Sequence, residues 1–119
     1  TLGNAIHASN ALTAMYIATG QDTACVAENS VGHFTVEKVD DGITWRLTLP
    51  SMTVGTVGGG TRLNQQQQNL QLLGCDSSEH SSRKLAEIIA SAALGLEISL
   101  GSAIMSHTWT SAHMKYGRK

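Results

Sequence analysis

Residues 83 to 106 constrain this chain more than any other stretch. Leu85, Ile88, Ile89, Ala92, Leu96, Leu100 and Ala103 fall at helical spacing. Ala86, Ala90, Ala93, Leu94 and Ile98 cover much of the opposite side, and a helix apolar on several faces belongs in an interior. Gly95, Ser99, Gly101 and Ser102 are small, so neighbours can approach closely. Glu87, Glu97 and several serines interrupt the run, so it reads as the central helix of a layered core and not as a membrane span. A chain of 119 residues buries only roughly 60 to 70% of its unfolded surface. A helix this apolar therefore calls for additional protein around it, from the same gene or from a partner subunit.

Upstream the pattern changes. Residues 4 to 19 read as a helix, with Ile6, Asn10, Thr13 and Ile17 on one stripe and Gly20 as its C-cap. Residues 32 to 39 and 43 to 49 alternate as two half-buried antiparallel strands, joined at Asp40-Asp41-Gly42. Pro50 closes the second strand. Residues 62 to 73 read as another helix, capped by Gly74, and Ser81 or Ser82 is a candidate N-cap for the long one. His107 to Lys119 is polar and mixed and reads as a mobile tail. The fold class is α+β: a buried central helix, flanking helices and a short antiparallel sheet.

Between the second strand and the helix expected near Arg62 lies Gly55-Thr56-Val57-Gly58-Gly59-Gly60-Thr61. Glycine permits positive φ and lets another molecule approach the backbone. The first amides of a following helix have no intrahelical partner, so a phosphate or carboxylate would fit there. The spacing is neither G-x-G-x-x-G nor a P-loop. A tight strand-to-helix turn, with glycine for packing, explains the same residues.

The formal net charge of -1 gives no electrostatic case for nucleic acid or an acidic membrane surface. Cys25 and Cys75 match no zinc spacing and suggest no disulfide scaffold; idle or buried thiols in a reducing cytosol are the expectation. No H-E-x-x-H, cysteine cluster or G-x-S-x-G is present. The first residues read as an element already under way, without initiator Met or leader, as in a processed chain or a piece of a larger protein.

The candidates for chemistry are Asp22, His7, Asn10, Ser99 and His113. Asp22 follows a helix end, where it is either functional or a solvated turn residue. His7 and Asn10 lie one turn apart on a helix read as buried, so they must be hydrogen-bonded or line a cavity. His113 lies in the tail and, unaided, is an ordinary surface histidine.

Gly3-Asn4-Ala5-Ile6-His7-Ala8-Ser9-Asn10, then Gly20-Gln21-Asp22, Pro50-Ser51, Gly55 to Thr61 and Ala112-His113-Met114 occur in this order and spacing in one family. Over essentially its whole length the chain resembles the C-terminal third of the catalytic region of HMG-CoA reductases, in the eukaryotic and archaeal class. The resemblance implies two hydride transfers from NADP(H) to HMG-CoA, giving mevalonate and coenzyme A. It implies that Asp22 is the catalytic aspartate, tuning the proton affinities of a lysine and a glutamate. It implies that His113 protonates the departing thiolate from a tail that closes and opens. His7, Asn10, Ser99, Leu100, Ala103 and Ile104 match substrate-contacting positions. Thr56, Val57, Gly58, Gly59 and Arg118 match cofactor-binding ones. Residues 1 to 106 would then belong to the large HMG-CoA-binding domain, and 107 to 119 would be the tail that carries the histidine. A cytoplasmic homodimer or higher homo-oligomer from a prokaryote is expected, with no membrane segment in this chain and no metal.

Some of the family pattern lies outside these residues. The E-N-x-x-G and D-A-M-G-M-N segments, which bring the glutamate and lead to the lysine, are not in the sequence, nor is the small cofactor-binding domain. Gly117 stands where eukaryotic members have asparagine, and Lys119 where they have a regulatory serine; Thr53 replaces an acidic residue. The expectation is a portion of a reductase; the alternative is a remnant of the fold that binds CoA or nucleotide without turnover.

Overall fold

Asp40 and Asp41 reverse the chain between two strands, because Val39 pairs with Gly42 and leaves only those two residues in the turn. In the computed structural model, Gly3–Asn4 (β1), His33–Val39 (β2) and Gly42–Thr48 (β3) form one antiparallel sheet in the order β1-β2-β3. The structure describes residues 3–4, 8–76 and 80–117, with the backbone alone at 3–4 and 105–117. Four α-helices occur among these: α1 (Ala8–Thr19), α2 (Val26–Asn29), α3 (Asn64–Leu72) and α4 (Ser81–Gly117). The α+β class expected from the sequence is the one observed.

The register sets Phe34 opposite Leu47 and Val36 opposite Trp45. Phe34 and Trp45 are therefore diagonal neighbours on one face, and their rings stack at 5.6 Å and 20°. Phe34 is the one buried side chain in the hairpin; the others are half-buried or exposed. The core lies elsewhere, where Ala11, Leu12 and Tyr16 of α1 meet Leu70 of α3 and Leu85, Ile89 and Ala93 of α4. Val26 and Cys75 complete it, and Leu47, Leu49, Met52 and Val54 pack against its edge. Cys25 and Cys75 are free thiols, and burial pushes the Cys75 thiol above its usual range.

The first helix starts later than its composition suggests. Gly3 and Asn4 are extended and pair with Phe34 and His33, and among the described residues the helix runs from Ala8 to Thr19. Its buried face carries Ala8, Ala11, Leu12, Tyr16 and Thr19, while the stripe of Asn10, Thr13 and Ile17 is exposed. The buried Thr19 hydroxyl is satisfied by donating to the Met15 carbonyl at 2.6 Å. Both Gly20 and Gly74 end their helices with positive φ, at +77° and +72°. Each is followed by a bond reaching back five residues, Gln21 N–H to the Tyr16 carbonyl and Cys75 N–H to that of Leu70, each 2.8 Å.

On α4 the buried row is Ser81, Leu85, Ile89, Ala93, Glu97 and Gly101. It agrees with the expected stripe through Ile89 and then leaves it: Leu96 is 41% exposed and Ile104 48%. Rows of every fourth residue are inclined to the helix axis and are the ridges that pack between elements; the expected stripe ran along the axis. α4 uses its ridge against α1 and β3. Nor does the helix stop near Ser106. It runs to Gly117, since no proline or glycine intervenes after Gly101. By length and composition alone Ser81–Ile104 could cross a bilayer, yet its ridge is engaged with α1 and β3 and includes the buried carboxylate Glu97.

The buried phenol of Tyr16 locks α1 to the irregular segment that follows the hairpin. Its hydroxyl donates to the Thr53 carbonyl at 3.1 Å and accepts from Asn29 Nδ2 at 2.7 Å. Burial is the main cause that raises its pKa above the ordinary 10.0. Above pH 10.0 the unfolded chain therefore ionises first, and folding stability falls as pH rises toward the folded value. A Tyr16→Phe variant should unfold about 1 kcal/mol more easily at pH 7. The gap should narrow above pH 10, where only the wild type carries the loss due to this phenol; urea midpoints across pH check this. A constant gap would mean that the phenol does not carry the alkaline transition.

Candidate functional site

Helix α1 delivers Gly20, Gln21 and Asp22 to the edge of the core. Gly20 must be glycine twice over. Its φ is positive, and a Cβ there would lie 2.5 Å from the Gly60 carbonyl carbon and oxygen and 2.6 Å from Thr61 N. The α1 turn and the glycine loop thus touch backbone to backbone. Gln21 ties them further: Nε2 donates to the Gly55 carbonyl at 2.7 Å and Oε1 accepts the Gly55 N–H at 2.8 Å. Asp22 caps a 3-10 turn, Thr23–Cys25, by accepting the Ala24 N–H on Oδ1 at 2.9 Å. Cys25 Sγ approaches its Oδ2 at 3.9 Å, and the side chain is exposed.

The glycine loop turns at Gly58 and Gly59, with φ of +82° and +52°. It does not open directly onto α3. Gly59–Arg62 forms a 3-10 turn, and extended Leu63 separates it from the helix that starts at Asn64. One short 3-10 turn has little dipole, so the anion argument from a helix N-terminus fails here. What remains is exposed backbone: the space beside Gly58 and Gly59, where side chains would stand, is open. Thr61, buried, braces the turn by donating from both its N–H and its hydroxyl to the Gly58 carbonyl.

The loop divides two grooves. One, of about 310 Å³, is lined by Asp22, Gln21 and Gly20 on one wall and by Gly59, Gly60 and Leu63 on the other. The second, of about 170 Å³, is lined by Thr56, Val57, Gly58, Thr61, Arg62 and Asp76. Of the sequence-derived candidates, Asp22 and Gly59 share the first groove, and Thr56, Val57 and Gly58 share the second. Asn10 lies on the exposed face of α1, so the argument from a polar pair on a buried helix does not hold for it. Ser99, Ala103 and Ile104 are exposed on α4 and Leu100 is half-buried. None of the four lines either groove among the described residues. His113 stands within α4 and not on an irregular tail. His7 and Arg118 lie outside the described residues.

Two contributors were not singled out from the sequence. Gln21 was visible only as a turn residue, since its partner Gly55 is 34 positions away. Arg62 brings a cation to the second groove, and its place directly after the glycine motif was the signal.

Comparison with known proteins places these landmarks in a wider frame. Residues 1–118 match the family described as hydroxymethylglutaryl-coenzyme A reductase. The chain is 40% identical over 118 residues to the 3-hydroxy-3-methylglutaryl-coenzyme A reductase of Methanocaldococcus jannaschii, covering 99% of this chain and 29% of that protein. To the protein of that name from Aeropyrum pernix it is 46% identical over 116 residues, covering 94% of this chain and 28% of the relative. To 3-hydroxy-3-methylglutaryl-coenzyme A reductase 1 of Oryza sativa subsp. indica it is 44% identical over 119 residues, 94% of this chain and 22% of the relative. The chain thus spans less than a third of the length of these curated relatives.

Proposed function

The chain belongs to the hydroxymethylglutaryl-coenzyme A reductase family, and from that premise we propose that it forms part of the active site of an NADP(H)-dependent HMG-CoA reductase. The reaction consumes HMG-CoA, two NADPH and two protons, and yields mevalonate, free coenzyme A and two NADP+. One observation carries the reading: Asp22 and the glycine loop face each other across a single groove and are joined by backbone contact at Gly20 and Gly60.

The residues present suit a dinucleotide. Open backbone at Gly58 and Gly59 lets a phosphate or ring approach, and Arg62 in the adjoining groove offers the charge. Thr56, Val57, Gly58, Gly59 and Arg118 would hold it. The nicotinamide, when bound, supplies the hydride. Asp22 keeps one carboxylate oxygen on the Ala24 amide and presents an exposed group to the groove. A negative charge there raises the proton affinity of a nearby lysine or glutamate, so that the pair can stabilise the oxyanion and hand over protons. In this proposal those two residues come from segments outside this chain. His113 gives its proton to the coenzyme A thiolate as it leaves, so the thiolate cannot attack the aldehyde again. His7, Asn10, Ser99, Leu100, Ala103 and Ile104 contact the HMG-CoA. A site shared between subunits of a cytoplasmic homo-oligomer belongs to the same proposal, as does the division of the chain at residue 106.

The test is HMG-CoA-dependent NADPH oxidation by the full-length protein that carries this chain. Ligand-induced thermal stabilisation by HMG-CoA without any turnover would instead favour a binding remnant. A His113→Ala variant sharpens it. Reduction of the thioester should slow about a hundredfold, and that of free mevaldehyde should change little, since only the thioester must release a thiolate. Equal losses on both substrates would remove the assigned role.

A further inference from the structure

Gln21 stands between the residue that touches the glycine loop and the residue proposed for catalysis. Its primary amide makes three hydrogen bonds. Nε2 donates to the carbonyls of Gly55 at 2.7 Å and Thr19 at 3.1 Å, and Oε1 accepts the Gly55 N–H at 2.8 Å. The two bonds to Gly55 satisfy both backbone groups of one residue, as a paired strand would. An amide offers a donor and an acceptor side by side without charge, which is what this pairing needs. Gly55 is the entry to Thr56-Val57-Gly58-Gly59, and no atom lies within 4 Å of where its Cβ would stand. Core packing of Val54 holds the chain up to this point, and at Gly55 itself, which has no side chain to pack, the Gln21 amide takes over.

We propose that Gln21 is a positioning residue that sets the glycine loop against Asp22, so that the cofactor held by the loop meets the carboxylate at a fixed separation. This rests on the reductase reading. Two short bonds to one residue, one to each of its flanking peptides, leave the loop little freedom to slide along α1, and the Thr19 bond holds the amide plane itself. Losing the pair would free the loop's entry while Gly20 and Gly60 still touched. The loop would then sample several positions, of which one is competent for hydride transfer.

The experiment uses the full-length protein with Gln21→Ala and Gln21→Glu, assayed with NADPH and HMG-CoA and normalised to HMG-CoA-binding sites. At pH 8 both variants should show kcat reduced about tenfold and KM for NADPH raised about tenfold, with the HMG-CoA dissociation constant within about twofold of wild type. Glutamate adds a diagnostic. Its ionised carboxylate only accepts and faces the Gly55 carbonyl, but a protonated carboxyl again has a donor beside an acceptor. Burial against a carbonyl raises the pKa of such a group above its ordinary value of about 4.3. The ratio of Gln21→Glu to wild-type kcat should therefore climb at least about fivefold from pH 8 to pH 5.5, and the Gln21→Ala ratio should stay flat. A flat Gln21→Glu ratio, or wild-type kcat and NADPH KM per binding site in both variants, overturns the proposal. A purely structural role would lower the number of binding sites and leave both constants alone. A wild-type protein that binds HMG-CoA but oxidises no NADPH overturns the reductase reading, and this inference with it.

Discussion

An Asp22→Asn variant of the full-length protein should lose about a thousandfold in kcat while binding HMG-CoA within a few-fold of wild type. The exchange is nearly isosteric, and asparagine accepts the Ala24 N–H as aspartate does. Asparagine and aspartate rank together as caps, so the 3-10 turn and its neighbours should survive. Only the charge goes. If Asp22 acts by raising the proton affinity of groups across the groove, its loss leaves binding intact and removes stabilisation of the transition state alone. Single-turnover rates beside direct HMG-CoA titration separate the two. Turnover near the wild-type level would take Asp22 out of the catalytic set and leave it as a turn residue.

Gly20→Ala should be the most disruptive small substitution in the α1 turn, costing at least about 3 kcal/mol. A left-handed conformation at a non-glycine residue accounts for about 1–2 kcal/mol of that. The remainder comes from a Cβ that would stand 2.5 Å from backbone atoms of Gly60, atoms that cannot swing aside as a side chain would. Gly59→Ala is the control. It has positive φ and open space, so conformational strain alone should appear, about 1 kcal/mol. Denaturant midpoints of the two variants decide the matter. Equal midpoints would mean that the loop can step back from α1 at little cost, and that their contact is not what sets the site.

Much of this arrangement was legible in the chain, and the rest was not, for identifiable reasons. Asp40-Asp41-Gly42 specified the hairpin because a two-residue turn leaves few conformations. Gly20 and Gly74 marked two helix ends because positive φ is a local demand. The pairing of Gly3–Asn4 with β2 was hidden, since two residues carry no alternation to read. The far half of the α4 stripe was misassigned because apolar size suggested Leu96 and Leu100, whereas close packing selected Ala93, Glu97 and Gly101. At the site, family resemblance named Asp22 and the loop, but no periodicity could announce that they share a groove. That depends on Gly20 meeting Gly60 and on an amide reaching Gly55, contacts between segments more than thirty positions apart. The same limit hid the split of the loop between two grooves, with Gly59 on the Asp22 side and Thr56 to Gly58 on the other.

The junction of Gly20 with Gly60 has a consequence for how such a protein can change over time. Where two elements meet through side chains, each exchange of a leucine for a methionine or valine alters the thickness of what lies between. Here nothing lies between, and peptide dimensions set the gap. The rest of the core can therefore be rewritten residue by residue without recalibrating the gap between the α1 turn and Gly60, while the Gln21 amide sets the loop's entry. Two glycines act as a fixed gauge around which a varied sequence can drift.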